Sequence, residues 1–197
     1  MNLHSVLAGH TGPVNAVRWT KDGNYCLSAS DDRTIKLWNP HKICPPSSSA
    51  VAAAADTKTA AVGQAPQIKS YGGAHGYAIQ DVAVFHDNTR FVSGGKDRTL
   101  FVWDVTSGAV IRRIAAHDNV NALALNAPST VVLSASYDQT VRIWDLRSQG
   151  RQAIQTLNDF RDSVTSVSIT GHTVRAPSVC VRVCCVCMWL PPAEHSW

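Results

Sequence analysis

A twelve-residue segment occurs three times in this chain, and that registry constrains the fold more than composition does. Ser28-Ala29-Ser30-Asp31-Asp32-Arg33-Thr34-Ile35-Lys36-Leu37-Trp38-Asn39 returns as Ser93-Gly94-Gly95-Lys96-Asp97-Arg98-Thr99-Leu100-Phe101-Val102-Trp103-Asp104. It returns again as Ser134-Ala135-Ser136-Tyr137-Asp138-Gln139-Thr140-Val141-Arg142-Ile143-Trp144-Asp145. Serine, aspartate and tryptophan hold the spacing S-x3-D-x5-W in every copy. His10, His75 and His117 precede Trp38, Trp103 and Trp144 at a nearly constant distance. Self-similarity at a period of about 40 residues marks an array of supersecondary units, each too small to bury its apolar face alone.

Within each unit, short runs of alternating or β-branched residues are separated by turn formers, the pattern of antiparallel strands. The first unit predicts strands at 14–19, 25–30 and 34–38, and the second at 79–85, 91–93 and 99–103. The third predicts 120–125, 131–136 and 140–144, and outer strands follow Trp103 at 110–114 and Trp144 at 153–157. A fourth unit opens at Val164-Thr165-Ser166-Val167-Ser168-Ile169 and then loses the pattern.

The registered His, Ser, Asp and Trp sets resemble WD40 repeats, the units of β-propellers. The resemblance implies an all-β WD40 propeller with three full blades and a fragment of a fourth, of an expected seven. Blade one then spans about 10–72, blade two 75–115, blade three 117–157 and the partial fourth 160–179, within a domain of 1–179. Such propellers close with an N-terminal strand in the last blade, and Ser5-Val6-Leu7-Ala8 is expected to be that strand. The chain is therefore expected to be part of a longer protein.

Two segments break the rhythm. The interval from Trp38 to Trp103 is much longer than that from Trp103 to Trp144. The surplus, rich in Ala, Ser and Pro, predicts a disordered insert at 43–67 in blade one. The tail from 180 to 197 carries Cys180, Cys184, Cys185 and Cys187 in a Val-Cys-Val context. Its C-x3-C-C-x-C spacing lacks the paired knuckles of structural zinc sites. A GT-repeat read in frame spells Val-Cys-Val, so the tail is expected to be translated non-coding sequence rather than a metal site or an inert strand.

Ser28, His10 and Asp32 have the residue types of a hydrolase triad, as do their counterparts in the other copies. Three identical sets argue against that, because an enzyme needs one activated nucleophile with an oxyanion hole. The resemblance implies instead a structural chain in which the indole N–H donates to serine, serine to histidine and histidine to aspartate. Its members are His10, Ser28, Asp32 and Trp38; His75, Ser93, Asp97 and Trp103; and His117, Ser134, Asp138 and Trp144. His172 follows the first strand of unit four and is not counted. Neither a Walker loop nor G-x-G-x-x-G occurs, so no cofactor, metal or small-molecule substrate is expected.

A formal charge of +4, with 16% charged and 45% hydrophobic residues, describes a globular chain. It carries no concentrated nucleic-acid footprint. Arg33, Lys36, Arg98 and Arg142 are read as charges on solvated strands, and direct nucleic-acid binding is not expected. No apolar run reaches the length of a membrane span, so the chain reads as soluble and intracellular. The resemblance places partner contacts at Pro13, Asn15 and Asp31 in blade one, Ala78, Gln80 and Lys96 in blade two, and Asn119, Asn121 and Tyr137 in blade three.

Further individual choices, such as Asp22-Gly23-Asn24-Tyr25-Cys26-Leu27, His75-Gly76-Tyr77 and Gln155-Thr156-Leu157, resemble the mitogen-activated protein kinase organizers, spliceosome-linked WD-repeat proteins. That likeness implies a non-catalytic scaffold for kinase-pathway or spliceosome components in cytoplasm and nucleus. A ubiquitin-ligase substrate receptor and an RNA-contacting splicing factor are the alternatives.

Overall fold

Each repeat folds into its own antiparallel meander. The computed structural model describes residues 6–42, 65–148, 150, 152–170 and 180–184. Blade one is β1 (Val14–Trp19), β2 (Cys26–Ser30), β3 (Ile35–Trp38) and β4 (Gln67–Tyr71). Blade two is β5 (Ile79–Val84), β6 (Arg90–Gly95), β7 (Thr99–Asp104) and β8 (Val110–Ala115). Blade three is β9 (Val120–Leu125), β10 (Val131–Ser136), β11 (Val141–Asp145) and β12 (Gln155–Leu157). Strands pair in chain order within each four-stranded sheet, and β13 (Ser166–Thr170) pairs with β14 (Cys180–Cys184). The all-β expectation holds, and no helix occurs among the described residues.

Three segment boundaries differ from those expected. Most of the insert, 43–64, lies outside the described residues, but its last residue, Gln67, belongs to a strand. Ala65 is buried and Gln67 opens β4, because the outer strand must begin there to pair Gln67 with Trp38. Val6, expected in a strand of the last blade, accepts a hydrogen bond at its carbonyl from the Ala65 N–H at 3.1 Å, within blade one. Finally, the boundary drawn at 179 falls inside a sheet: Cys180–Cys184 pairs in register with β13, from Ser166 opposite Cys184 to Thr170 opposite Cys180.

Both faces of the middle sheet are buried, which explains why its strands read as nearly continuous apolar runs. Phe91, Phe101 and Trp103 face blade one, packing with Leu27, Ile35, Leu37 and Tyr71. Their strand neighbours Val92, Leu100 and Val102 face blade three, packing with Val120, Leu123 and Trp144. Blade three repeats the arrangement, with Leu133, Ala135 and Val141 against Val164 and Val167. Successive side chains point to opposite faces of a strand, so a one-residue slip would exchange the two interfaces. An aromatic group tightens the first interface. Tyr71 meets Phe91 edge-on at 4.9 Å, and Phe91 stacks on Trp103 at 5.9 Å.

The repeat extends to backbone irregularities. Each first strand carries a bulge against the second, at Asn15, Gln80 and Asn121. Arg33, Arg98 and Gln139 take left-handed φ values of 64°, 57° and 63° in the three equivalent tight turns. On the opposite rim, Gly23, Asn88 and Ser129 hold equivalent left-handed positions. There the N–H of Lys21 donates to Asn88 Oδ1 at 2.9 Å and that of His86 to Ser129 Oγ at 2.8 Å, so each turn is tied to the next blade.

Blade two departs from its neighbours at Gly95, where blades one and three carry Ser30 and Ser136. A Cβ on Gly95 would lie 2.3 Å from the Ala78 carbonyl oxygen, so the backbone has closed onto the space that serine fills elsewhere. Gly95→Ala is expected to lower unfolding free energy by about 1–3 kcal/mol through overpacking. Denaturant titration of the full chain would show a lower midpoint at unchanged slope; an unchanged midpoint would mean that the Ala78 segment yields freely.

Candidate functional site

In blades one and two the Ser, His and Asp side chains meet where the loop entering the blade approaches the turn between its second and third strands. In blade one, Trp38 Nε1 donates to Ser28 Oγ at 2.8 Å, and Ser28 Oγ lies 2.6 Å from His10 Nε2. His10 Nδ1 lies 2.7 Å from Asp32 Oδ2. Blade two repeats this with Trp103 to Ser93 at 2.8 Å, Ser93 to His75 Nε2 at 2.7 Å, and His75 Nδ1 to Asp97 Oδ2 at 2.6 Å. One proton assignment satisfies every atom: indole to serine, serine to imidazole, imidazole to carboxylate.

This is the distance pattern of a nucleophilic triad, but the serine is consumed inside the sheet. Ser28 and Ser93 are buried, and each hydroxyl accepts an indole N–H while giving its proton to the ring. An incoming carbonyl would find no exposed nucleophile, and the site lacks the accessible reacting position that acyl transfer requires. The geometry instead locks strands two and three to the loop entering the blade.

Burial alone would raise the carboxyls of Asp32 and Asp97. Hydrogen bonds outweigh it, chiefly from Thr34 and His10 for Asp32 and from His75 for Asp97, and both groups ionise below the usual 3.8. Asp138 is lowered too: burial opposes, while Thr140, Ser136 and the Arg142 charge prevail.

Blade three does not repeat the chain. Trp144 Nε1 donates to Ser134 Oγ at 2.8 Å, as in the other blades. His117, however, is exposed and bonds neither Ser134 nor Asp138. Arg142 Nη2 takes Asp138 Oδ2 at 2.8 Å, the carboxylate oxygen that imidazole holds elsewhere. The equivalent residues are Lys36, which donates to the Gly9 carbonyl, and Phe101, which packs edge-on to His75 at 4.6 Å. Arg142 takes the carboxylate here, whereas Lys36 leaves it to His10, and the interval from His117 to Trp144 is one residue shorter than in the other two blades. Arg142 is thus not a charge on a solvated strand, whereas Arg33 and Arg98 lie in the exposed turns.

The nine positions expected at a partner face fall into two kinds. Pro13, Asp31, Lys96 and Tyr137 are exposed, Tyr137 by 61%, and Ala78, Gln80 and Asn119 are half-buried. Asn15 and Asn121 are engaged between blades: Asn15 Nδ2 donates to the Ile79 carbonyl at 2.7 Å and to Asp31 Oδ1 at 2.6 Å, and Asn121 Nδ2 to the Val164 carbonyl at 3.0 Å. The bulge re-aims these amides across the interface.

Asp81 is a residue that sequence reasoning missed. It sits on β5 where the other first strands carry Ala16 and Ala122, and its charge within an apolar strand was the available signal. Its carboxylate pairs with Arg18 of blade one at 2.9 Å and accepts the Leu123 N–H of blade three at 2.9 Å, so it joins three blades. Burial pushes its pKa up, opposed by the Leu123 N–H and the Arg18 charge.

On the rim bearing the Lys21 and His86 turns, Phe85, Arg90, Asp87 and Pro128 help to line a cleft of about 590 Å³. No group of His, Cys, Asp and Glu among the described residues could hold a metal ion. The cysteine side chains of the tail lie outside the described residues.

Comparison with known proteins follows this repeat structure. The family described as WD domain, G-beta repeat matches residues 1–39, 66–104 and 108–145, stepping over the insert. The chain is 33% identical over 176 residues to the WD repeat domain-containing protein 83 homolog of Dictyostelium discoideum, covering 88% of this chain and 47% of that protein. It is 29% identical over 202 residues to the guanine nucleotide-binding protein subunit beta of Zea mays, covering 84% and 53%. With autophagy-related protein 16 of Arabidopsis thaliana it shares 31% over 167 residues, covering 84% and 28%. The chain spans about half, or less, of the length of these curated relatives.

Two outcomes follow from the contrast between blades. His75→Ala is expected to destabilise the protein by about 2–4 kcal/mol, and His117→Ala by less than about 0.5 kcal/mol, because only the first breaks a buried network. Equal losses in calorimetry would show that His117 joins its network. Asp97→Asn is expected to cost about 1–3 kcal/mol at neutral pH. A folded-state value below 3.8 stabilises the protein above that pH, and the gain disappears as pH falls through the folded value. The deficit of the variant should therefore shrink in acid; one that stayed constant down to pH of about 2 would contradict the linkage.

Proposed function

Since the chain belongs to the WD40 family of WD domain, G-beta repeats, we propose that it acts as a non-catalytic scaffold assembling other proteins, in kinase signalling or pre-mRNA splicing. The single observation carrying this reading is the division of labour between the interiors of blades one and two and the turns of blades two and three. Reactive side-chain types are turned inward into satisfied networks, while the turns beside them expose large residues. Tyr77 is 67% exposed and Tyr137 61% exposed, on turns held by rigid sheets. Exposed aromatics on rigid loops are the usual anchors of protein interfaces. Kinase-pathway or spliceosome components as partners, and residence in cytoplasm and nucleus, rest on the likeness to the kinase organizers.

Affinity purification of the full chain, followed by mass spectrometry, tests the reading. Kinase-pathway or splicing proteins should be recovered. Their yield should fall at least about fivefold in Tyr137→Ala if this ring is an anchor worth about 1 kcal/mol or more. Recovery dominated by cullin adaptors, or of RNA without protein, would replace the scaffold reading by one of the alternatives.

A further inference from the structure

We propose that blade three holds a binding site for one carboxylate, created by the replacement of its histidine link by Arg142. The molecule supplies its own controls. In blades one and two an imidazole fills the space between serine and aspartate. In blade three His117 is exposed, and it borders a cavity of about 270 Å³ lined also by Ala115, Arg142, Trp144, Gln152, Ala153 and Thr156.

Two atoms in this part of blade three lack an acceptor, Arg142 at the cavity and Ser134 beneath Trp144. Arg142 Nη1 is buried without a hydrogen-bond partner, its guanidinium being fixed through Nη2 on Asp138 at 2.8 Å. Ser134 Oγ accepts from Trp144 but has lost the imidazole that takes the serine proton in the other blades. Buried donors without acceptors are rare in folded proteins and mark places where a ligand or water belongs. The walls add an imidazole, the Gln152 amide and the Thr156 hydroxyl, all capable of donating.

The ligand chemistry follows. A cation would meet the positive charge of Arg142, and the nearby Asp138 oxygens are already engaged by Thr140 and Arg142. A doubly charged phosphate would be repelled by that same carboxylate. A monoanionic planar carboxylate matches a guanidinium edge and can also accept from the Gln152 amide or the Thr156 hydroxyl. The volume lies at or below the lower end of small-molecule sites, roughly 300–1,000 Å³, and suits an Asp or Glu side chain or a short free acid. Among the described residues no hydrogen bond holds the His117 ring at the mouth, so entry breaks none. Only the choice of a partner's acidic side chain as the source rests on the scaffold reading.

The test is nuclear magnetic resonance on the full chain, labelled at Arg and His, titrated with sodium acetate and separately with a short Asp/Glu-containing peptide. Saturable shifts at Arg142 and His117, and none at His10 or His75, are expected, with inorganic phosphate failing to compete. Arg142→Phe installs the blade-two residue, and Arg142→Lys the blade-one residue should the first variant unfold. Phe should weaken acetate binding at least about tenfold, as loss of a charge-assisted pair requires; Lys, which keeps the charge but loses the planar fork, should weaken it measurably, and either should move His117 to the hydrogen-bonded state seen for His75. Tighter binding of the peptide than of acetate makes a partner's side chain the source, and equal binding makes it a free acid. The site is overturned if His117 of the unmodified chain already shows the His75 signature. It is equally overturned if acetate fails to saturate, or if the variants bind as the parent does. Failure of acetate removes the site and leaves the scaffold reading intact, whereas loss of all protein partners with acetate still bound removes only the latter.

Discussion

A four-stranded sheet with apolar residues on both faces cannot stand alone in water, and the rest of this structure answers that constraint. Val92 and Phe91 are adjacent, both fully buried, and serve opposite interfaces. Burying each such side chain contributes about 1.5–3 kcal/mol, but only while a neighbouring sheet covers it. Stability therefore resides in the contacts between sheets as much as in the sheets. The polar ties follow the same logic: Asn15, Asp81, Asn88, Asn121 and Ser129 all reach from one blade to the next.

The tryptophan networks do the complementary work within a blade. The indole, hydroxyl, imidazole and carboxylate groups of blades one and two have little accessible surface, and each hydrogen-bonding atom has a partner. Their residue types match a hydrolase while their burial forbids that chemistry, so solvent access distinguishes a strut from an active site. In blade three the strut is reduced to Trp144 and Ser134, and an ion pair of Arg142 with Asp138 occupies the vacated carboxylate. Arg142 and the shorter interval before Trp144 thus accompany a different interior in a sheet of the same topology.

Within a repeat, identical backbone geometry is adapted by side-chain choice. Glycine at 95 where serine stands elsewhere lets the Ala78 carbonyl move in, and aspartate at 81 where alanine stands elsewhere allows three blades to share one carboxylate. Both departures fall in blade two, whose sheet is buried on each face. There a change of volume or charge is felt by two interfaces at once.

Repeat number, strand order, turn positions and the residues of two complete networks were legible in the sequence, because strand alternation and fixed motif spacing are local properties. The blade-one outer strand beginning at Gln67, the pairing of Cys180–Cys184 with β13 and the contact of Val6 with Ala65 were not. Pairing depends on which segment lies beside which edge, and composition carries no record of that. The exposure of His117 and the carboxylate bridge of Asp81 were hidden for a related reason: each depends on side chains meeting across strands or blades. The sequence by itself determined the units and their internal register, and the tertiary structure alone decided how neighbouring units share charges, since those contacts join residues that no spacing rule connects.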